Sequence, residues 1–381
     1  MTRVANKKTR TTKAETLAKT KPAGNVPSRI GGRPTVQASA FTRRLLDWYR
    51  SNKRSLPWRD HPDPYAVWVS EIMLQQTRVE AVIPYFKRWL EYFPTIEKLA
   101  QASEQSVLNA WEGLGYYARA RNLRKAAQEV MSQHGGQLPG TVKALRGLPG
   151  IGQYTAGAIA SMAFGLDEAA LDGNIRRVLA RVFNVGELAT SPTGQRTLWA
   201  LAEKHLLRGQ AGDYNQAMMD LGATVCLPAN PACPTCPVRA VCEARRLRIQ
   251  SQRPVLAAKA KVPHYTLAAA VVLRGGRVLL SQRPADGLLG GMWEFPNARV
   301  SKAPPREIVA AIAAQYGLRV TCGELLAVVP HAYSHFSVEV YAYHCQATEV
   351  PKRDNLRWIA LRQLADYPMG KIDRRIAKEL A

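Results

Sequence analysis

Apolar residues recur at three- and four-residue spacing from "FTRRLLDWYR" at residue 41 to about residue 225, the period of helices that bury one face. Short Gly-, Pro- and polar-rich breaks ("SLPWRDHPDPY", "YFPTI", "GLGYYARARN", "HGGQLPG") cut this stretch into helix-sized segments. None of the segments alternates as a strand would. Residues 41–247 are therefore expected to form an all-α domain. The stretch "RIQSQRPVLAAKAKVP" (248–263) is basic, is punctuated by proline, and reads as a linker. Beyond it the period changes. "TLAAAVVL" and "RVLLSQR" are strand-type runs joined by a Gly-Gly turn, and "PREIVAAIAAQYGL" is a helix stopped by Gly317. "ELLAVVPHAYSHFSVEVYAYHC" alternates again and is rich in aromatic residues. Residues 264–381 are expected to form a second, α+β domain, which makes the chain multidomain.

Charge adds a partner to this picture. Residues 1–40 carry nine basic side chains against one acid, Glu15, with almost no apolar period, which predicts a disordered basic arm. The arm lacks the apolar core of a secretory signal, and its scarcity of acids also fits an organellar transit peptide. It holds eight of the 24 excess positive charges, so the rest of the chain keeps sixteen and itself calls for an anionic partner. Nucleic acid is favoured. No basic amphipathic helix shows a clear lipid face, and no apolar run is long enough to span a bilayer. A cytoplasmic, DNA-associated monomer is expected.

Four of the six cysteines, Cys226, Cys233, Cys236 and Cys242, fall within 17 residues, spaced C-x6-C-x2-C-x5-C. Without a secretory signal a disulfide framework is not expected, and four thiolates on so short a loop converge on a metal centre. Zinc usually takes two C-x2-C pairs from separate knuckles; a single compact loop suits a cubic [4Fe–4S] cluster better. Cys322 and Cys345 lie in strand-like surroundings and are expected to be ordinary core residues. In "LPGIGQYTAGAIA" (148–160), Gly150 and Gly152 offer backbone freedom and no side chain to hold a partner away. The turn amides and the helix starting near Tyr154 make an anion site, fit for a DNA phosphate gripped without regard to sequence.

The hairpin "LPGIG", then "LDGNIRRVLAR" (171–181), then the cysteine loop, in this order, resemble the helix-hairpin-helix base-excision glycosylases. "SEIMLQQT" (70–77), "GLGYYARARNL" and "NQAMMDLG" (215–222) narrow the resemblance to the MutY-type adenine DNA glycosylases. The resemblance is dense over residues 41–245 and looser beyond. It implies a hydrolase of N-glycosyl bonds that takes adenine from A:8-oxoguanine or A:G mispairs in double-stranded DNA.

Glu71 is the only acid between Asp63 and Glu80, with Val67, Trp68 and Leu74 around it on a helix. Apolar surroundings raise a carboxyl and let it hold a proton near neutrality, and the resemblance places the catalytic acid here. Asp172 opens a helix as its N-cap. The resemblance also sets it facing C1′ of the deoxyribose, so that one carboxyl donates a proton and the other stabilises the sugar cation or bonds to it. Related glycosylases that also cut the strand carry a Schiff-base lysine at the position of Tyr154. Tyrosine implies a monofunctional enzyme that leaves an abasic site, with Tyr154 positioning the sugar or Asp172. The base must be extruded first. The resemblance has Gln75 and Gln76 fill the vacated space, Thr77 contact the DNA, and Tyr116 wedge at the opposing base. Arg54, Leu56, Trp58, Arg59 and Gln216 match the adenine pocket.

The C-terminal unit resembles the Nudix fold of the MutT type, but Arg306 and Glu307 are followed by "IVAAIAA" rather than by the acidic pair that would hold Mg²⁺. The resemblance implies a retained fold, a lost hydrolase, and a loop that reads 8-oxoguanine through Tyr333, Ser334 and His335, with tyrosine where the family has phenylalanine. Two other readings stand beside this one: a pyrimidine-damage glycosylase with lyase activity, and a cluster-bearing DNA-binding protein with inert carboxylates.

Overall fold

Most helices of the N-terminal part begin where a short polar side chain takes up an orphan amide. In the computed structural model, which describes residues 39–59, 63–258, 261–301 and 305–380, Ser39 caps α1 (Ala40–Asn52), and Asp63, followed by Pro64, caps α2 (Pro64–Leu74). After α3 (Val79–Tyr92), Thr95, Ser103 and Thr141 cap α4 (Ile96–Gln101), α5 (Glu104–Trp111) and, beyond α6 (Ala118–Gln133), α7 (Val142–Gly147). Then come α8 (Gln153–Phe164), α9 (Gly173–Val182) capped by Asp172, α10 (Pro192–His205) capped by Ser191, α11 (Ala211–Thr224) and the short α12 (Glu243–Arg246). The basic arm lies outside the described residues, except for its last two.

Two of these helices are apolar nearly all round. Residues Tyr65 to Met73 of α2 and Thr155 to Ser161 of α8 are buried, as expected of helices at the centre of a bundle, and the two pack against each other. One core, around Trp68, Trp89 and Trp111, fills the space between α2 and α3–α7; a second, around Leu45, Ile175 and Met218, joins α1, α9, α10 and α11. The helix that carries Glu71 belongs to the first core, and the helix that carries Tyr154 contributes to both.

The C-terminal part is a seven-stranded sheet. It contains β1 (His264–Arg274), β2 (Arg277–Gln282), β3 (Trp293–Glu294), β4 (Asn297–Val300), β5 (Arg319–Ala332), β6 (Ser337–Glu349) and β7 (Leu356–Ala360). The order is β3-β2-β1-β6-β5, with β4 on β1 and β7 on β2; among the described strands β1 and β6 pair in parallel and the other pairs are antiparallel. The turn between β1 and β2 has Gly275 and Gly276 at φ +54° and +69°, the handedness a two-residue hairpin requires. Ala268, Ala270 and Val272 of β1 pack toward α13 (Pro305–Tyr316), whereas Ala269 and Val271 share a core with Ile376 of α14 (Lys371–Lys378). Both faces of β1 are covered, which is why its run reads as continuously apolar.

The two parts are fastened together. Arg374 of α14 forks onto Glu112 at 2.6 and 2.8 Å, Glu112 also accepts the Met369 amide, and Arg121 reaches the Gly290 carbonyl. The segment expected to be a plain linker is also pinned. The buried guanidinium of Arg181 holds the carbonyls of Gln250 and Arg253, each at 3.0 Å, and Ala189 donates to the Val255 carbonyl. An arginine on a distant helix supplies this anchoring, and composition gives no sign of it.

Candidate active site and nucleic-acid interface

Glu71 on α2, Tyr154 on α8 and Asp172 at the start of α9 line one open cleft of about 740 Å³. Glu71 is 4% exposed. Its removal from water pushes the carboxyl up to about 7; a hydrogen bond from Tyr154 and the charge of Arg59 pull the other way, and Asp172 adds to the rise. The Tyr154 hydroxyl donates to Glu71 Oε2 at 2.6 Å. Burial and both carboxylates hold that phenol well above its ordinary value, so it stays a donor. The resemblance implies that Tyr154 positions the sugar or Asp172; in the structure its hydroxyl bonds to Glu71.

Asp172 is the N-cap the sequence indicates. Its Oδ1 accepts the Ile175 amide at 2.7 Å and its Oδ2 accepts Asn174 Nδ2 at 3.0 Å. Burial raises this carboxyl above its usual value against the pull of those donors. The acid and the cap aspartate thus face one space, each with its protonation set by desolvation.

Arg54, Leu56, Trp58, Arg59 and Gln216 all line the same cleft, as do Gln75, Gln76 and Thr77 at its rim. What organises the two arginines is a residue whose role no motif or period marks in the sequence. Asp220, fully buried on α11 one turn beyond Gln216, binds Arg54 at 2.6 Å and Arg59 at 2.7 and 2.9 Å. Burial alone would raise the Asp220 carboxyl, but the two arginines overcome that and hold it below the usual range. Arg119 is a second unforeseen element. Its guanidinium donates to the carbonyls of Ile72, Met73, Gln75, Leu114 and Gly115, stapling the end of α2 to the turn that carries Tyr116. In the sequence Asp220 shows only as an acid inside the apolar stretch "NQAMMDLG", and Arg119 as one of two arginines in "GLGYYARARN".

Gln76 and Tyr116 both adopt left-handed backbone angles, φ +57° and +48°. Tyr116 is 46% exposed. A second cleft of about 540 Å³ is lined by Gln75, Gln76 and Tyr116 from the helical part and by Tyr333, Ser334 and His335 from the β5–β6 turn. Tyr116 and Ser334 share a hydrogen bond across it. The Tyr333 ring is half-buried against His331 and Phe336, with centroids 4.5 and 4.7 Å away; Ser334 and His335 are the exposed members.

In the glycine turn before α8, Gly150 has φ +80° and a Cβ there would meet Asn122 Cβ at 2.9 Å. Gly152 differs from the expectation of unusual backbone angles. Its φ of −85° is open to any residue and a Cβ there would meet nothing within 4 Å, so neither angle nor space requires glycine.

Cys226, Cys233, Cys236 and Cys242 line one small cavity together with Arg181 and Gln250. Arg181 Nη1 lies 3.3 Å from Cys226 Sγ, and Gln250 Nε2 lies 3.7 Å from Cys233 Sγ. Burial pushes the Cys236 thiol up to about 11, with the other three sulfurs adding to the rise. Among the described residues no group of three or more His, Cys, Asp or Glu is arranged to hold a single metal ion. The donor set is all sulfur, gathered at one cavity.

Comparison with known proteins agrees with the two-part fold. Residues 69–204 match the HhH-GPD superfamily of base excision DNA repair proteins, and residues 268–379 match the NUDIX domain. The adenine DNA glycosylase of Homo sapiens is 36% identical over 373 residues, covering 82% of this chain and 68% of that protein. The adenine DNA glycosylase of Mus musculus is 34% identical, covering 90% and 78%. A solved thermostable thymine-DNA glycosylase matches 54% of this chain and 95% of its own at a TM-score of 0.51 and 29% identity. Among the described residues no helix is long and apolar enough to cross a membrane. With relatives matched along most of their own length and the base-excision fold carrying the cleft, this chain belongs to the adenine DNA glycosylases, DNA-repair enzymes that hydrolyse the N-glycosidic bond of adenine.

Proposed function

We propose that the enzyme excises adenine opposite 8-oxoguanine or guanine without cutting the strand, using Glu71 as the proton donor. The observation that carries this reading is the buried Glu71 carboxyl, titrating near 7 in the cleft it shares with Asp172. A carboxyl with that value is about half protonated at neutral pH, suited to general acid work. Arg54, Leu56, Trp58, Arg59 and Gln216 receive the extruded adenine, Gln75 and Gln76 fill the gap it leaves, and Thr77 contacts the DNA beside them. Glu71 gives its proton to a ring nitrogen, the C1′–N bond breaks, and positive charge develops on the sugar. Asp172 stabilises that charge until water adds to C1′. Tyr154 has no amine to form an imine with C1′; it keeps Glu71 in place. The product is an abasic site.

The amides around Gly150 and Gly152 bind a phosphate at the start of α8. Tyr116 wedges beside the opposing base. Ser334 and His335, exposed at the tip of a turn anchored by the packed Tyr333 ring, read it. Cys226, Cys233, Cys236 and Cys242 hold a [4Fe–4S] cluster, for which the all-sulfur donor set and the shared cavity are the support. The cluster supplies a rigid cross-link for the 226–242 loop. The protein works as a DNA-associated monomer.

Purified protein incubated with an end-labelled duplex containing one A:8-oxoguanine pair tests the reading. Scission at the adenine only after alkali is expected. Scission without alkali would overturn the monofunctional assignment, and binding without turnover would overturn the catalytic one.

A further inference from the structure

Cys322 on β5 and Cys345 on β6 are direct cross-strand partners in an antiparallel register, and their sulfurs lie 3.2 Å apart. Both belong to the core beneath α13, far along β5 from the turn at Tyr333, and neither shares the cavity of the other four cysteines. Cys322 is half-buried on the outermost strand of the main path of the sheet, while Cys345 is buried. We infer that Cys322 and Cys345 form an oxidisable dithiol, a modification site closed to a disulfide by a peroxide or a low-molecular-weight disulfide. This inference is independent of the catalytic reading above.

The geometry favours closure. Opposed residues of an antiparallel pair have Cα atoms about 4.5–5.5 Å apart, inside the range a disulfide tolerates without moving the backbone. The order of events follows from the surroundings. The two thiols share a hydrogen bond in which either can donate, and Cys322 is the more exposed sulfur, the one an oxidant in solution reaches. The Cys322 thiolate therefore attacks first. With a disulfide oxidant such as oxidised glutathione it takes one sulfur and expels one glutathione thiolate. Cys345 then attacks the Cys322 sulfur, its proton leaving with the second glutathione. Two protein thiols and one oxidised glutathione thus give one protein disulfide and two glutathione thiols. With a peroxide, the Cys322 sulfenic acid forms first and Cys345 displaces its oxygen as water. Closure cross-links the strand pair whose tip carries Ser334.

The test equilibrates the intact protein, cluster included, with mixtures of reduced and oxidised glutathione, alkylates the remaining thiols, and maps the peptides by mass. The expected result is one linked pair of peptides containing Cys322 and Cys345, with the loss of two hydrogens and reversal by a thiol reductant. The unfolding midpoint of the oxidised form should rise by roughly 5 °C. Cys322→Ser and Cys345→Ser should each abolish the link while releasing adenine at the wild-type rate. Separate alkylation of Cys322 and Cys345 at every glutathione ratio would overturn the inference. So would a wild-type protein in which Cys322 accumulates as a glutathione mixed disulfide or a sulfinic acid while Cys345 remains a thiol.

Discussion

Burying Glu71 has a consequence for stability that can be measured without any substrate. Glu71→Gln keeps the size of the side chain and an oxygen to accept from Tyr154, but stays neutral at every pH. In the wild type the carboxyl titrates near 7 against an ordinary value of 4.5. A carboxyl raised on folding holds its proton more tightly in the native state than in the unfolded chain. The stability it brings is complete below pH 4.5 and is lost as the pH climbs through 7. The difference of about 2.5 units, at roughly 1.36 kcal/mol each, costs the wild type about 3 kcal/mol at pH 8 and under ~1 kcal/mol at pH 5. Urea unfolding at the two pH values, for both proteins, reads this directly. Glu71→Gln should match the wild type closely at pH 5 and exceed it by about 3 kcal/mol at pH 8, or roughly 5–10 °C in midpoint. An offset that is equal at both pH values, or a variant weaker than wild type at pH 8, would refute the claim that desolvation sets this carboxyl.

Other substitutions probe the neighbours of Glu71. Tyr154→Phe removes a donor that favours the ionised form. A hydrogen bond to a charged group contributes about 1.5–3 kcal/mol, so the high-pH fall in single-turnover adenine release should move upward by roughly one to two pH units; an unmoved limb would sever the Tyr154–Glu71 link. Asp220→Asn leaves Arg54 and Arg59 without their shared carboxylate. Equilibrium unfolding should show a loss of about 3 kcal/mol, with slower base release, and wild-type values for both would remove Asp220 from the account. Cys236→Ser should abolish the brown absorption of the purified protein or leave it insoluble, whereas a colourless, zinc-loaded wild type would contradict the iron–sulfur reading.

The sequence carried local features well and distant pairings poorly. Glu71 stood out as one acid in an apolar helix, and Asp172 as a cap before "GNIRRVLARV", because period and capping are properties of neighbouring residues. The β1–β2 turn and the helix ended by Gly317 were visible for the same reason. The Asp220 clamp joins residues about 160 positions apart, and nothing near Asp220 announces which cations it will meet. The hydroxyl of Tyr154 could be placed on a helix facing the cleft, but its partner depended on how α2 packs against α8. Cys322 and Cys345 looked like core residues until strand register set them opposite each other. The stretch 248–263 had the composition of a linker, yet Arg181, on a different helix, ties down part of it.

The most direct test of the account is single-turnover release of adenine from a duplex with one A:8-oxoguanine pair, comparing wild type with Glu71→Gln at pH 7. The account predicts a loss of about 10²–10⁴-fold in release, with the affinity for the mispaired duplex unchanged. Release within a few-fold of wild type would show that the proton reaches adenine from somewhere other than Glu71.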